Sequence, residues 1–396
     1  MITQLLLRNF RSIESKKFDF APITVFYGAT SAGKSSVLYS LCVLRNFILN
    51  PNQAPDALFH LGFLNLGGFE ACARNHDLSS EMTIHATMDM DGSPGHYGIE
   101  LGKASAKIEE GFPDMALRGA VTMPYALNQS FQIPYKGKTG DFKVNWNGIT
   151  CTAVPDAPTA ETQAEAAEIT TRTNLIIEYV KAIDICPHRR GFFKTSYSPT
   201  QLTPAIFTED EVATLIINDP HLDAKVSIDL EEICDRDFRH HIIAGTATAF
   251  LKTTDKKSRM PVDLVNDGFG VNQVVYMLTK LHRSEVRTLL IEEPEIHLHP
   301  TIITKIARTL ARIVKDEKKQ CVLATHSEQF VTALLDCVAE NSLKPEDLRC
   351  YHVTKEKRVS AYEEQKVSES GQLEGGLSSF VEAELQSLKR FISATK

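Results

Sequence analysis

The chain has 396 residues and a net charge of −7, with 43% hydrophobic and 23% charged residues. This acidic balance excludes a global basic field that would draw the chain onto nucleic acid or an anionic membrane, so DNA contact would require a local basic patch or a partner. There is no apolar run of the ~20 residues a membrane span needs, no signal-peptide pattern, and no CxxC pair among the eight cysteines. We therefore expect a cytoplasmic protein with reduced thiols.

The first 80 residues predict strands, a glycine-rich loop and a helix. Residues 23–27 form a short apolar run rich in β-branched and aromatic side chains, which is typical of a strand. The loop GATSAGKSS follows at 28–36, and residues 37–47 are predicted to be helical. Residues 50–80 are rich in proline and glycine, so we expect loops there.

Residues 81–150 predict antiparallel strands, because runs such as TIHATMDMDG and FKVNWNGITC are bounded by turn residues. Residues 155–185 are rich in Ala, Glu and Thr and are predicted to be helical, whereas residues 186–260 have a mixed pattern. From residue 261 onward strands and helices alternate, with strands predicted at TLLIEE, CVLATH and RCYHVT.

These patterns predict an α/β fold with a mixed central sheet, an antiparallel β subdomain and a helical lobe. We expect the chain to divide into parts at residues 1–80, 81–150, 151–260 and 261–396.

One loop has the pattern G-x-x-x-x-G-K-[ST] that binds phosphate. Backbone N–H groups of such a loop surround phosphate oxygens at the start of a helix. Lys34 would neutralise the β- and γ-phosphates and Ser35 would ligate Mg²⁺, so the pattern indicates ATP and Mg²⁺ as ligands. The predicted strand before the loop and helix after it disfavour a chance match. The residues of this site are Gly28, Ala29, Thr30, Ser31, Ala32, Gly33, Lys34, Ser35 and Ser36.

An apolar strand at 288–291 ends in two carboxylates, Glu292 and Glu293. Together with the phosphate-binding loop, this pattern predicts that Glu292 holds Mg²⁺ through water and that Glu293 polarises the attacking water as a general base. The alternative is a buried strand that meets a solvated acidic loop.

Two further elements lie on either side of this strand in the sequence. His326 follows the predicted strand CVLAT, where its ring would reach a γ-phosphate as a donor. The stretch VNDGFGVNQ at 265–273 precedes an apolar helix, so its small residues and the helix N-terminus suit a phosphate. The alternative for this stretch is an ordinary capped helix after a glycine turn.

These four elements, in this order, resemble the ABC-class ATPases related to RecF, Rad50 and the OLD family. They are most similar to the stand-alone AAA family ATPases often encoded beside bacterial phage-defence effectors. The opening LRNFRS resembles that group's N-F-[RK]-S strand, EEPEIHLHP resembles its E-E-P-E-x-x-L-H-P, and NDGFGVNQV resembles its G-x-G-x-x-Q signature variant. Residues 370–385 resemble its ending.

The resemblance implies a P-loop head of the ABC type with a defined set of roles. Lys34, Glu293 and His326 would be catalytic, and Arg11 would lie near the nucleotide. The signature residues would close over the γ-phosphate bound by a second copy, which makes the protein a homodimer or a higher even oligomer. These signature residues are Asn266, Asp267, Gly268 and Gly270.

The chain departs from the family pattern in several places. Thr30 stands where the family usually has Asn, and Glu292 stands where Asp is commoner. No glutamine is present between residues 65 and 75, so the Q-loop ligand is not assigned. We recognise no Toprim nuclease pattern and no long coiled-coil pattern in these 396 residues, so we expect neither a nuclease activity nor Rad50-like tethering within them.

Several weaker signals have two interpretations each. Glu295, His297 and His299 suggest metal ligands, but they fall inside the resembling string and lack a fourth ligand. The run DMDG at 89–92 suits a hairpin turn better than a metal site. Arg189 and Arg190 suit a phosphate or partner site, or a surface ion pair. The polar face of the helix at 302–314 is either solvated or a DNA or partner contact; its basic residues are Lys305, Arg308, Arg312, Lys315, Lys318 and Lys319.

Two functions follow from the resemblance. The first is an ATPase sensor or scaffold that controls a separate effector, a nuclease or toxin, in bacterial anti-phage defence. The alternative is a RecF-like clamp that grips DNA during repair or recombination. A catalytically idle switch is disfavoured because Glu293 and His326 are both present.

Overall fold

The computed structural model describes residues 1–49, 53–123, 130–374 and 376. In these residues the chain forms a mixed α/β fold with a central mixed sheet, antiparallel sheets and helices, which confirms the predicted fold class. Part of the stretch 370–385, which resembles the family ending, lies outside the described residues. In the part of the chain that the structure describes, no helix has the length and apolar character needed to cross a bilayer.

The elements follow one another closely along the chain. The strands are β1 (Ile2–Phe10), β2 (Ile13–Asp19), β3 (Ile23–Gly28), β4 (Met82–Met90), β5 (Ser93–Leu101), β6 (Ser105–Phe112), β7 (Met115–Thr122), β8 (Phe131–Lys136), β9 (Asp141–Trp146), β10 (Cys151–Pro155), β11 (Ile183–Cys186), β12 (Arg236–Ile242), β13 (Ala249–Asp255), β14 (Pro261–Asp263), β15 (Thr288–Glu292), β16 (Gln320–Thr325), β17 (Leu348–Glu356) and β18 (Val359–Gln365). The helices are α1 (Lys34–Leu49), α2 (Gly68–Cys72), α3 (Ala160–Lys181), α4 (Glu209–Asn218), α5 (Pro220–Cys234), α6 (Phe269–His282), α7 (Pro300–Glu317) and α8 (Glu328–Ala339).

The central sheet has the strand order β11-β15-β16-β3-β17-β18. Its first five strands are parallel, and β18 pairs antiparallel with β17. Side chains alternate between its two faces, so Val25 and Tyr27 enter one hydrophobic core while Phe26 enters the other. Because both faces are covered there, β3, β15 and β16 are buried along their whole length, and the sequence marks these strands clearly.

One core lies between the central sheet and an antiparallel sheet of order β2-β1-β4-β5-β6-β7. Strand β1 pairs with β4 through Leu5 and Ala86, so this sheet continues across the predicted boundary between residues 80 and 81. The antiparallel strands predicted in 81–150 are present, together with β6 and β7, which the sequence did not indicate. The proposed division of the chain into parts stays a prediction.

The other core lies under helices α4 to α8, beside a small sheet of order β12-β13-β14. Helix α7 buries Ile306, Leu310 and Ile313 in this core, and Ile302 packs at its margin. Helix α3 fills most of the predicted helical stretch 155–185, but the prediction is wrong for its last residues. They form β11, which pairs with β15 and thereby leads the chain to the candidate site.

Candidate nucleotide-binding site

The P-loop, residues 28–35, connects β3 to α1 at the carboxyl end of the central strands. Gly28 and Gly33 have φ angles of 143° and 114°, which disfavour other residues. A Cβ at Gly28 would clash with the carbonyl of Val353, and one at Gly33 would clash with the Ser360 hydroxyl. Both glycines are therefore required by the close approach of the β17–β18 hairpin to the loop.

Lys34 lies within this loop and is almost completely buried. Its Nζ donates to the carbonyls of Gly28 at 3.0 Å and Ala29 at 2.8 Å. Desolvation lowers the pKa of Lys34, against the opposing attraction of Glu293 and Glu295. An anion beside the ammonium would favour its charged form, so the loop fits a phosphate group.

Glu292 ends strand β15 and is held from several sides. Tyr39 donates its hydroxyl to Glu292 Oε1 at 2.7 Å, and Nδ1 of His188 lies 3.4 Å from Oε2. Burial acts to raise the pKa of Glu292, but hydrogen bonds from His188, Ser35 and Tyr39 outweigh it and hold the pKa below its usual value. The carboxylate and the Ser35 hydroxyl form a pair of hard oxygen donors, which fits Mg²⁺.

Glu293 has a left-handed backbone with φ of 44°, although it is not glycine. Such a conformation costs about 1–2 kcal/mol and persists only where the surroundings impose it. Its N–H donates to the carbonyl of Ala324 at 2.8 Å, and its carbonyl accepts from Arg190 at 2.8 Å. A strained residue at the end of a buried strand, facing a cavity, is a candidate for catalysis.

His326 follows β16, the strand between β15 and the P-loop strand β3, as its predicted role requires. Its Nδ1 lies 3.4 Å from Glu293 Oε1 and 3.6 Å from Glu295 Oε1. Glu295 is buried, accepts from the Thr325 hydroxyl at 2.7 Å and lies 3.3 Å from the His326 N–H. The structure thus brings the predicted histidine against the predicted general base.

The P-loop and the two strand-end carboxylates line one cavity of about 540 Å³, which we call the phosphate cavity, whereas His326 contacts Glu293 without lining it. Nine of the predicted residues line it: Arg11, Thr30, Ser31, Gly33, Lys34, Ser35, Ser36, Glu292 and Glu293. An adjoining hollow of about 350 Å³ shares Arg11, Ser12 and Lys355 with it. Residues separated by more than 250 positions in the sequence therefore converge at one end of the central sheet.

Sequence reasoning gave no role to Tyr39 or His188, and it left Arg190 between a phosphate or partner site and a surface ion pair. Tyr39 stands four residues after Ser35 on α1, so helical spacing alone could have placed it on the same face. His188 and Arg190 follow β11, and their position depends on the pairing of β11 with β15, which no local pattern reveals. Arg190 is buried beneath the Glu292–Glu293 peptide, which corrects the expectation of a surface ion pair.

The signature turn, residues 266–270, lies at the start of α6 and does not line the phosphate cavity of its own chain. Asp267 accepts from the Thr253 hydroxyl at 2.6 Å and from Arg236 at 3.3 Å, so it is tied to the small sheet. Asn266 and Gly268 are exposed. Gly270 packs so closely on His297 and Leu298 that a Cβ would meet both at 2.9 Å.

The weaker signals resolve into structural roles. Glu295 turns toward Thr325, His297 lies edge-on against Phe269, and His299 accepts from the Thr301 N–H that starts α7. Within the described ranges, no cluster of His, Cys, Asp and Glu is arranged to hold a metal. In the run 89–92, Asp91 and Gly92 form the turn between β4 and β5, and Asp89 accepts from the Gly92 N–H at 2.8 Å.

Two family comparisons bear on this geometry. Residues 206–331 match the model of the AAA ATPase domain, and residues 4–44 match a model described as AAA domain. The matches support an AAA-type ATPase. The two ranges contain the P-loop, the signature turn, both strand-end carboxylates and His326. No curated protein matches the chain significantly.

Solved structures with similar folds include SMC heads. The SMC head domain from Thermotoga maritima is 12% identical over 92% of this chain and 99% of that chain, with a TM-score of 0.46. The Smc head domain with an extended coiled coil, bound to the C-terminal domain of ScpA derived from Pyrococcus furiosus, is 11% identical over 98% and 99%, with a TM-score of 0.47. Similarity at this level carries no functional implication for this chain.

Proposed function

We propose that this chain hydrolyses ATP with Mg²⁺ and that its site is completed by the signature turn of a second copy. The observation that carries the proposal is the convergence of Lys34, Glu292 and Glu293 on one cavity, with His326 in contact with Glu293. A phosphate-binding loop, a metal-binding carboxylate and a water-activating carboxylate are the parts that phosphoryl transfer needs.

Each residue has a role that its position supports. The N–H groups of the P-loop and Lys34 bind the phosphates, while Ser35 and Glu292 hold the metal. Mg²⁺, when bound, supplies positive charge that neutralises the β- and γ-phosphates. Glu293 orients the attacking water and accepts its proton, and His326 donates a hydrogen bond to the γ-phosphate. The hollow beside Arg11 and Lys355 offers room for the nucleoside.

The proposal includes a second copy because the signature turn does not line the phosphate cavity of its own chain. A helix N-terminus with exposed small residues binds an anion well, and α6 begins at such a turn. A two-fold pairing would place each turn over the other chain's phosphate, and hydrolysis would then reopen the pair.

We further propose that this cycle controls a separate effector, a nuclease or toxin, in bacterial anti-phage defence. The support is the resemblance of EEPEIHLHP and NDGFGVNQV to ATPases encoded beside such effectors. The clamp alternative has less support from the predicted basic face of α7. Arg308 pairs with Glu340, Arg312 pairs with Asp229, and Lys319 donates to backbone carbonyls. Half of the basic residues predicted for that face therefore already have partners within the chain.

Two experiments test these proposals separately. Phosphate release from ATP by the purified protein, with Mg²⁺ and with EDTA, tests the ATPase; we expect turnover with Mg²⁺ alone, and no turnover under either condition would contradict it. Plaque counts on bacteria carrying this gene and its neighbours test the defence role. We expect fewer plaques than on bacteria without these genes. The Lys34→Ala variant should restore the plaque number. Unchanged plaque counts together with DNA-stimulated turnover would favour the clamp.

A further inference from the structure

A short stretch outside the four predicted elements connects the phosphate cavity to the helix that begins at the signature turn. We call residues 187–192 the bridging segment. It follows β11 directly, and the pairing of Cys186 with Ile291 in β15 places it alongside Glu292 and Glu293. His188 and Arg190 contact these carboxylate residues, and Phe192 contacts the helix that begins at the signature turn.

Arg190 is the anchor at the carboxylate end. It is 3% exposed, and its guanidinium donates to the carbonyls of Glu292 at 2.7 Å, Glu293 at 2.8 Å and Pro187 at 3.0 Å. Among the described residues, no carboxylate forms an ion pair with it. The planar fork of arginine suits two neighbouring carbonyls, which a lysine would not bind in the same way.

The peptide that Arg190 holds is the strained one. Glu293 has a φ of 44°, and its peptide is fixed by two hydrogen bonds, from its own N–H to Ala324 and from Arg190 to its carbonyl. Without the second bond, the backbone of Glu293 would be free to relax toward an ordinary conformation. Its carboxylate would then leave the cavity position that activation of water requires.

The opposite end of the bridging segment is tied to α6. Asn272 accepts from the Phe192 N–H and donates to the Phe192 carbonyl, both at 2.7 Å, and it is buried. Gly191 has a φ of 138° and packs so near Asn272 that a Cβ would lie 2.9 Å from its Oδ1. Because α6 starts one residue after Gly268, a movement of the signature turn would reach the bridging segment through Asn272.

We propose that the bridging segment positions Glu293 for catalysis and makes its position depend on the signature helix of the same chain. Arg190 is a positioning residue that acts through the Glu293 peptide, and Asn272 connects it to α6. The inference rests on the proposed function. It implies that capture of a partner's phosphate by the signature turn is sensed by the chain's own Glu293.

The test compares two adjacent arginines, Arg190→Gln and the exposed Arg189→Gln, in the full-length protein. For Arg190→Gln we expect turnover to fall about 100-fold, because a small displacement of a reacting group has effects of this size. Its affinity for a fluorescent ATP analogue should change less than threefold. Arg189→Gln should match the wild type in both measurements, and Arg190→Lys should recover part of the turnover. Wild-type turnover in Arg190→Gln would overturn the inference.

A second readout needs no nucleotide. Hydrogen exchange of backbone amides in the peptide 288–298 should be faster in Arg190→Gln and in Asn272→Ala than in the wild type, whereas exchange in the P-loop peptide should be unchanged. Combining the two substitutions should reduce turnover by less than the product of their separate effects, because they break one chain of contacts. Equal exchange, or fully multiplicative effects, would contradict the inference.

The wild type separates this inference from the proposed function. A wild type that neither binds nor hydrolyses ATP contradicts the proposed function itself. A wild type that turns over ATP, with Arg190→Gln equally active, contradicts only the role of the bridging segment.

Discussion

The phosphate cavity and the signature turn differ in how far their residues are buried and bonded within the chain itself. In the cavity, Lys34 and Glu292 are buried. Lys34 donates to carbonyls of its own loop, and Glu292 is held by Tyr39 and His188 from distant parts of the chain. At the signature turn, a Cβ added to Gly268 would meet no atom within 4 Å, and Phe269 is 45% exposed. Phe193, beside Phe269, is 60% exposed. This contrast agrees with the proposed function, in which one half-site binds a nucleotide and the other acts on a second copy.

Lys34→Ala should have the largest effect, because it removes the ammonium that lies inside the loop. Losing a charged hydrogen-bond donor to a phosphate corresponds to a loss of affinity of about 100-fold or more, and turnover should disappear with it. Titration with a fluorescent ATP analogue measures the affinity, with the exposed Lys103 changed to alanine as a control. Normal affinity in Lys34→Ala would refute the assignment of the P-loop.

Glu293→Gln should separate binding from chemistry within the cavity. The amide keeps the size of the side chain but cannot accept a proton, so hydrolysis should fall about 100-fold or more while ATP affinity stays near that of the wild type. Light scattering after gel filtration should then show a species of twice the monomer mass with ATP and Mg²⁺. Wild-type turnover would remove Glu293 from its role.

Gly268→Arg tests the signature turn. Gly268 has a φ of −54° and open space around it, so the substitution should leave the fold and the melting temperature unchanged. A bulky side chain there would hold a second copy away from the turn, so hydrolysis should fall at least about tenfold at unchanged ATP affinity. Full activity in this variant would show that the signature turn has no part in the site.

Glu110→Gln should leave both half-sites alone and change only stability. Glu110 is buried and accepts from Trp146 Nε1 at 2.6 Å, and burial raises its pKa to about 8. The folded state therefore keeps a proton that the unfolded state loses above about pH 4.5, and wild-type stability decreases by up to about 1.4 kcal/mol per pH unit until pH 8. The variant should melt above the wild type at pH 8.5, and this difference should shrink near pH 5. An equal difference at both pH values would contradict the assignment.

The sequence predicts the residues that line the phosphate cavity better than the residues that hold them in place. The reason is physical. Residues 28–35 and 288–293 are local patterns, and buried parallel strands bring their carboxyl ends together whatever lies between them. His188 and Arg190 reach Glu292 and Glu293 because β11 pairs with β15, two strands about 100 residues apart, and nothing near residue 188 specifies that pairing. Likewise, the pairing of β1 with β4 joins regions that composition alone places in separate parts.

The most direct test of the shared site mixes Lys34→Ala with Gly268→Arg, two variants that are each expected to be inactive. A mixed pair contains one intact P-loop facing one intact signature turn, and half of randomly formed pairs are mixed. We therefore expect turnover to recover to about one quarter of the wild-type rate in an equimolar mixture. A mixture no more active than the separate variants would contradict a site built from two chains.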